Sequence, residues 1–247
     1  MDEFNEDYEI SSNKSVFINS NKKVSDLSNY NDGYWWVQNF SSMIPIMFCG
    51  LNLKNKSILD LCSAPGGKAF QIMSENKNII LNDISKKRIK ILETNLTRLN
   101  YSTKVENKNA LNFPEYNKFD IVILDSPCSS IGTIRSNPEI LFKKKGPDLK
   151  SLFSLQEKLL LKSSKLLKPN GVIIYMVCSF FFSETISPII NFLEKNKDFS
   201  ILKYNQQTKE PDIKSLFNEK GFFLTMPTTY KEYKIDGFFS VQLIKNV

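Results

Sequence analysis

Histidine is absent from this chain of 247 residues. Without an imidazole, hydrolases that use a histidine base and metal centres ligated by histidine are excluded. Proton transfers must use carboxylates, lysine, cysteine or water. The four cysteines, none of them in a C-x-x-C pair, are Cys49, Cys62, Cys128 and Cys178. This scatter favours free thiols in a reducing compartment over a disulfide framework, and we predict no bound metal.

Long apolar runs are also lacking. No segment has transmembrane length, and the polar start MDEFNEDYEI does not resemble a signal peptide, so we expect a cytoplasmic protein outside the membrane. The formal charge of +7 fits an anionic partner such as nucleic acid. The sequence is rich in lysine and asparagine throughout, and this compositional bias alone would also give a positive net charge.

The length suits one α/β domain with an extension. We predict an N-terminal extension over residues 1–50 and the main domain over 51–247, and we expect a monomer. Residues 1–30 are polar and predict a flexible lead-in. The aromatic segment 33–50 predicts a small helix packed on the core, with a wall for stacking substrate bases as the alternative.

Apolar strands and amphipathic helices alternate from residue 57 onward. Strands are expected near 58–61, 78–83, 103–106, 119–125, 171–179, 199–204 and 237–246. Helices are expected after residue 67 and near 86–99, 149–168 and 183–196. This pattern predicts an α/β fold, a doubly wound and mostly parallel sheet of seven strands with an antiparallel strand at the C-terminal edge.

The stretch SILDLCSAPGGKAF, residues 57–70, predicts a strand, a tight turn and a helix. Adjacent Gly66 and Gly67 allow a ligand to approach the backbone closely, and they lack the G-x-G-x-x-G spacing of a dinucleotide site. Asp83 ends the second strand, where such folds bind ribose hydroxyls. Asp60 favours S-adenosylmethionine, which brings a cationic amino group and no phosphate. We therefore predict that this turn is part of a binding site for S-adenosylmethionine.

Two cysteines follow the ends of neighbouring predicted strands, Cys128 in DSPCSS and Cys178 in YMVCSF. Carboxyl ends of parallel strands meet at one edge of a sheet, so both thiols should face one cleft. Either alone would more often be a packed core thiol. Two thiols together beside a cofactor-binding site indicate a reactive site.

These motifs closely resemble the RsmB/Sun family of RNA cytosine-5 methyltransferases. The resemblance is carried by LDLCSAPGGK, LDSPCSSIGT, LKPNGVIIYMVCSF and DGFF, which occur in the family's order from about Val37 to the end of the sequence. It implies a Rossmann-like class I methyltransferase fold and transfer of a methyl group from S-adenosylmethionine to carbon 5 of cytosine in RNA. It also implies a role in rRNA processing and a covalent cysteine adduct.

The resemblance implies roles for individual residues. Cys178 would add to carbon 6 of cytosine and Cys128 would assist its release, while Asp125 would hydrogen-bond the base. Lys68 would lower the pKa of a nearby thiol or hold the base. The positions that match the family's cofactor-binding pattern are Cys62, Ser63, Ala64, Pro65, Gly66, Gly67, Lys68, Asp83, Asn109 and Asp125.

The chain departs from the family pattern at three places. Asn109 replaces the usual aspartate, Ser126 the usual alanine, and Met176-Val177 the usual Ser-Thr. The departures at Asn109 and Val177 leave open a catalytically weakened, RNA-binding ribosome-assembly factor. A DNA cytosine methyltransferase is disfavoured, because the E-N-V tripeptide and long recognition region are missing. The basic run 143–145 is a candidate for phosphate contact, or a solvated loop.

Overall fold

The computed structural model describes residues 8–10, 15–18, 20–114, 116–142, 148–205, 211–230 and 233–247. The predicted phosphate-contact run 143–145 lies outside these residues. The strands are β1 (Tyr8–Ile10), β2 (Val16–Ile18), β3 (Ile58–Asp60), β4 (Ile79–Asn82), β5 (Lys104–Glu106), β6 (Phe119–Asp125), β7 (Leu167–Val177), β8 (Phe199–Leu202), β9 (Phe222–Thr225), β10 (Thr228–Tyr230), β11 (Tyr233–Ile235) and β12 (Phe238–Lys245). The α-helices are α1 (Phe40–Met47), α2 (Gly67–Met73), α3 (Lys86–Arg98), α4 (Leu149–Leu166), α5 (Ile186–Lys195) and α6 (Pro211–Lys214).

One mixed sheet organises the fold. Its strands lie in the order β5-β4-β3-β6-β7-β12-β8, and the strands from β5 to β7 are parallel. The C-terminal strand β12 runs antiparallel to its neighbours β7 and β8. The predicted doubly wound, mostly parallel sheet with an antiparallel C-terminal strand is confirmed.

Two details of the sheet differ from the prediction. Strand β12 lies between β7 and β8 instead of at the edge, and its first six residues are all buried, as is typical of an interior strand. The seven predicted strands are joined by an eighth, β9, which pairs with the first half of β12 while β8 pairs with the second half. Strand β9 has only four residues, so the alternation of its side chains is too short to predict a strand from the sequence.

Helices cover both faces of the sheet. The buried side chains of α1, α2 and α3 join one core cluster, and those of α4 and α5 join the other. Strand β6 contributes Ile121 and Ile123 to the first cluster and Val122 and Leu124 to the second. Because the middle of β6 is buried on both faces, residues 121–124 form a continuous apolar run.

The boundary between α4 and β7 lies earlier than predicted. The helix ends at Leu166 instead of residue 168, and β7 begins at Leu167, which pairs with Phe119 of β6. The strand continues through Pro169 and Asn170, which has a φ of 60°. Proline and asparagine are typical of a break in regular structure, and both lie in an irregularity between the pairs Phe119–Leu167 and Ile121–Val172.

Part of the polar N-terminal segment is fixed against α3. Arg98 Nη1 donates hydrogen bonds to the carbonyl oxygens of Tyr30 (2.5 Å) and Trp35 (2.9 Å), and its guanidinium lies 3.9 Å from the Tyr30 ring centroid. Gly33 has a φ of +78°, and a Cβ there would lie 1.9 Å from the Arg98 carbonyl oxygen. Residues 30–35 therefore pack closely, although the predicted lead-in extended to residue 30.

Both tryptophans make intramolecular contacts. The Trp35 indole N–H donates to the Ser28 carbonyl at 2.9 Å, and Trp36 packs edge-on against Phe70 of α2 with ring centroids 6.1 Å apart. These contacts connect the aromatic segment to the helix that follows the glycine turn. The division of the chain at residue 50 stays a prediction.

The described residues contain neither a membrane-spanning helix nor a metal-binding cluster. None of their helices is long and apolar enough to cross a membrane. Within the same residues, no three cysteine, aspartate or glutamate side chains form a group suited to a metal ion. The expected cytoplasmic location, monomeric state and lack of a metal stay predictions.

We expect Arg98→Ala to lower the free energy of unfolding by about 1 to 3 kcal/mol, because two carbonyl groups lose a charged donor. Urea unfolding followed by tryptophan fluorescence measures this change. Lys90→Ala, an exposed change on the same helix, is the control and should have little effect. Equal midpoints for the two variants would contradict the prediction.

Candidate active site

The turn after β3 places residues 62–68 along the carboxyl edge of the sheet. Gly66 has a φ of 114°, and a Cβ there would lie 2.3 Å from Phe70 and 2.6 Å from Leu92, so only glycine fits. The Ala64 N–H donates to the Asp83 carboxylate at 3.2 Å. This hydrogen bond joins the turn to the end of β4.

Asp83 and Asn109 follow the next two strands on the same edge. Asp83 is buried, and its carboxylate accepts a hydrogen bond from the Ser85 N–H at 2.9 Å and lies 3.3 Å from Arg88. Asn109 is exposed, and its Oδ1 accepts from the Leu111 N–H at 3.0 Å. Asparagine and aspartate cap helices equally well, so the departure at Asn109 preserves this local role.

Three buried oxygen atoms near the turn have no hydrogen-bond partner in the described structure: Asp60 Oδ1, Ser63 Oγ and Ser126 Oγ. Burial, with the nearby Asp125 carboxylate, raises the pKa of Asp60 to about 7. Buried polar atoms are nearly always paired, which indicates that a ligand supplies the missing partners. A buried carboxylate with one unpaired oxygen suits a cationic group and repels a phosphate, so these residues fit S-adenosylmethionine.

Lys68 and Asp125 form an ion pair beside the turn. Lys68 Nζ lies 2.7 Å from Asp125 Oδ2 and 5.1 Å from the centroid of the Phe238 ring. Burial alone would lower the pKa of Lys68, but the Asp125 carboxylate outweighs burial and raises it. Lys68 therefore remains an ammonium group, held between a carboxylate and an aromatic face.

The thiols of Cys128 and Cys178 are in hydrogen-bonding contact, with their sulfur atoms 3.3 Å apart. The hydrogen bond from Cys128 lowers the pKa of Cys178 despite burial, and the Ser130 hydroxyl at 3.5 Å and Lys68 add to this effect. The same hydrogen bond and burial raise the pKa of Cys128 well above its usual value. The hydrogen bond therefore makes Cys178 the more acidic thiol of the pair and Cys128 the less acidic one.

Two glycines hold the loop that follows Cys128. The Gly132 N–H donates to the Cys178 carbonyl at 3.0 Å, and the Gly237 N–H donates to the Gly132 carbonyl at 2.7 Å. A Cβ at Gly132 would lie 2.1 Å from the Gly237 carbonyl oxygen. The close approach of the two backbones explains the glycine of the DGFF motif at this point.

Asp236, the first residue of the DGFF motif, is buried and strengthens the same attachment. Its carboxylate accepts hydrogen bonds from Arg135 Nε (3.1 Å), Ser136 Oγ (2.5 Å) and Asn39 Nδ2 (2.7 Å). A single carboxylate therefore joins the loop after Cys128 to the aromatic N-terminal segment.

Sequence analysis missed Glu184, whose carboxylate is fully buried. It accepts hydrogen bonds from the Ser129 N–H (2.7 Å), the Ser129 hydroxyl (2.6 Å) and the Ser179 hydroxyl (2.5 Å). Both serines directly follow one of the paired cysteines. The repeated Cys-Ser dipeptide was the available signal, but nothing local to it identifies the distant glutamate.

Val177, one of the departures from the family pattern, does not lie on the same face of the sheet as Cys178. Val177 is fully buried with Tyr175 in the cluster covered by α4 and α5. Cys178 packs against the cluster on the other face of the sheet. Alternation along the strand therefore directs the two side chains to opposite faces.

Comparison with known proteins finds related sequences and structures. The model of the family described as 16S rRNA methyltransferase RsmB/F matches residues 49–244. Ribosomal RNA small subunit methyltransferase B of Shewanella oneidensis is 33% identical over 196 residues, which cover 77% of this chain and 43% of that protein. The chain spans about half the length of the curated relatives it matches.

Solved structures show the same fold. The crystal structure of PH0851 has a TM-score of 0.83 and 26% identity, covering 97% of this chain and 54% of that chain. NSun6 from Pyrococcus horikoshii with SFG has a TM-score of 0.74 and 23% identity, covering 91% of this chain and 56% of that chain. The resemblance found in the motifs is confirmed, because the family model covers most of the sequence: the chain belongs to the RsmB/F family of 16S rRNA methyltransferases.

Proposed function

We propose that this chain transfers a methyl group from S-adenosylmethionine to carbon 5 of cytosine in ribosomal RNA, through a covalent adduct with Cys178. The observation that carries the proposal is the thiol pair, with sulfur atoms 3.3 Å apart, in the same site as the Lys68–Asp125 ion pair. Carbon 5 of cytosine is a weak nucleophile, and addition of a thiolate to carbon 6 activates it. This chemistry requires no histidine.

The residues that would hold the cofactor are the turn from Cys62 to Lys68, with Asp83, Asn109 and Asp125 on the same edge. When bound, S-adenosylmethionine supplies the electrophilic methyl group. The unpaired oxygens near the turn support this assignment, since a bound ligand with its own donors would pair them. The relatives' names support ribosomal RNA as the substrate, and the charge of +7 agrees with a polyanion.

The two thiols would have different tasks. The Cys178 thiolate forms a bond to carbon 6, and Asp125 holds the base by a hydrogen bond as charge moves into the ring. After carbon 5 has been methylated and its proton has left to water, the bond between sulfur and carbon 6 breaks. Cys128, as the protonated partner, donates to the departing thiolate and so assists release.

The structure does not favour the alternative of a weakened assembly factor. Val177 faces away from Cys178, and Asn109 caps the short 3-10 helix Ala110–Asn112 as an aspartate would. Both departures leave the thiol pair and the ion pair in place. We therefore retain one proposed function.

The two cysteine variants should fail at different steps. Cys178→Ala should lower methylation by at least about 1,000-fold, because the attacking thiolate is lost. Cys128→Ala should form a protein–RNA adduct that persists in denaturing gels, because release is slow. Incorporation of labelled methyl groups into RNA measures the first effect and a denaturing gel of labelled RNA the second, with Cys49→Ala as the control for loss of a thiol elsewhere in the core. An adduct that accumulates in Cys178→Ala instead would reverse the two roles.

The hydrogen bond between the thiols also predicts a pH effect. Removing the donor in Cys128→Ala should raise the pKa of Cys178, so alkylation of Cys178 by iodoacetamide should require higher pH. Mass spectrometry of the Cys178 peptide across a pH series measures this. An unchanged profile would show that Cys128 does not stabilise the thiolate.

Binding of S-adenosylmethionine should release protons near pH 7. Asp60 has a pKa of about 7, and a cationic ligand favours its carboxylate form, which lowers that pKa. Release should approach about half a proton per site at pH 7. Calorimetry in two buffers of different ionisation enthalpy measures it, and Asp60→Asn should remove the buffer dependence. Heats that are equal in both buffers for the unaltered chain would refute this assignment.

A further inference from the structure

We propose that Glu184 is a positioning residue that keeps the two thiols at reaction distance by fixing the residue after each of them. This inference rests on the proposed function. Glu184 contacts neither thiol directly. Its carboxylate instead bridges the two loops, so that Cys128 and Cys178 have one common support.

The contacts divide between the two carboxylate oxygens. Oε1 accepts from the Ser129 backbone N–H at 2.7 Å, and Oε2 accepts from the hydroxyls of Ser129 at 2.6 Å and Ser179 at 2.5 Å. One oxygen atom therefore receives a donor from each loop. A shift of either loop would break a short hydrogen bond to a charged acceptor.

Neighbouring residues extend this support to both sides of Cys128. Gln156 Nε2 donates to the Pro127 carbonyl at 3.0 Å and to Glu184 Oε1 at 3.2 Å. The Tyr175 hydroxyl donates to the Glu184 carbonyl at 2.8 Å, which ties the glutamate to strand β7. The residues before and after Cys128 are thus both attached to this network, and so is the strand that leads to Cys178.

The electrostatics indicate a role in geometry. Glu184 is fully buried, and no lysine or arginine among the described residues forms an ion pair with it. A buried carboxylate without a cation is costly unless hydrogen bonds satisfy it. Here four hydrogen bonds from neutral donors do so, and three of them come from the residues that follow the two cysteines.

Glu184→Gln and Glu184→Ala test the proposal. Alanine should lower kcat by about 100-fold, the effect expected when a reacting group moves by about 1 Å. The Kd for S-adenosylmethionine, measured by calorimetry, should change less than about twofold, since none of the hydrogen bonds of Glu184 reaches the turn. Glutamine should restore much of kcat, because its oxygen can accept from Ser129 N–H and the serine hydroxyls can rotate to accept from its NH₂ group.

Two serine variants test each side of the support separately, also where Glu184→Ala does not fold. Ser129→Ala should slow release about tenfold, so that the protein–RNA adduct accumulates. Ser179→Ala should slow formation of the adduct by a similar factor. Ser163→Ala is the matched control, because it removes a fully buried serine hydroxyl that donates within α4 at 2.9 Å and contacts neither loop.

An RNA-independent measurement separates failure of this inference from failure of the proposed function. Alkylation of the free protein by iodoacetamide, followed by mass spectrometry, should modify Cys178 faster than Cys128. Glu184→Ala should reduce that ratio about tenfold and leave Cys49 unchanged. This result would support the positioning role even if no 5-methylcytosine forms.

Three outcomes would overturn the inference. One is a wild-type kcat and alkylation ratio in Glu184→Ala, or in both serine variants where the glutamate variants do not fold. Another is an equal loss of kcat in Ser163→Ala, which would indicate a general effect of core hydroxyls. The third is a Kd for S-adenosylmethionine that weakens as much as kcat falls in Glu184→Ala, which would indicate damage to the whole domain.

Discussion

The hydrogen bond between Cys128 and Cys178 is the contact on which the site depends. Two equivalent thiols in a half-buried cleft would both stay protonated, because burial disfavours charge. At 3.3 Å one thiol donates to the other, so the pKa of Cys178 falls and the pKa of Cys128 rises. Lys68 reinforces the difference without needing direct contact. Two residues of one type therefore acquire different acidities.

The sheet explains how two distant cysteines meet. Strands β6 and β7 are parallel neighbours, so their carboxyl ends lie side by side and the loops after them begin at the same edge. Contacts from later in the chain then fix those loops. The insertion of β12 beside β7 brings Gly237 against Gly132 and Phe238 over Lys68. The C-terminal strand is therefore part of the site's support.

The sequence allowed prediction of what depends on local pattern. Alternating elements, the glycine turn and the two cysteines after neighbouring strands all follow from periodicity and spacing. Contacts between distant parts of the chain could not be predicted in this way. They include the Arg98 hydrogen bonds that fix residues 30–35, the interior position of β12 in the sheet, and the buried carboxylate of Glu184. Each depends on residues far apart in the chain whose local sequence is ordinary.

The most direct test of the central claim uses RNA that carries tritium at carbon 5 of cytosine. Methylation through the proposed route must exchange that hydrogen for the methyl group, so one tritium should be released for each methyl group that the chain transfers to ribosomal RNA. Transfer of methyl groups without release of tritium would place the reaction at another atom and contradict the account.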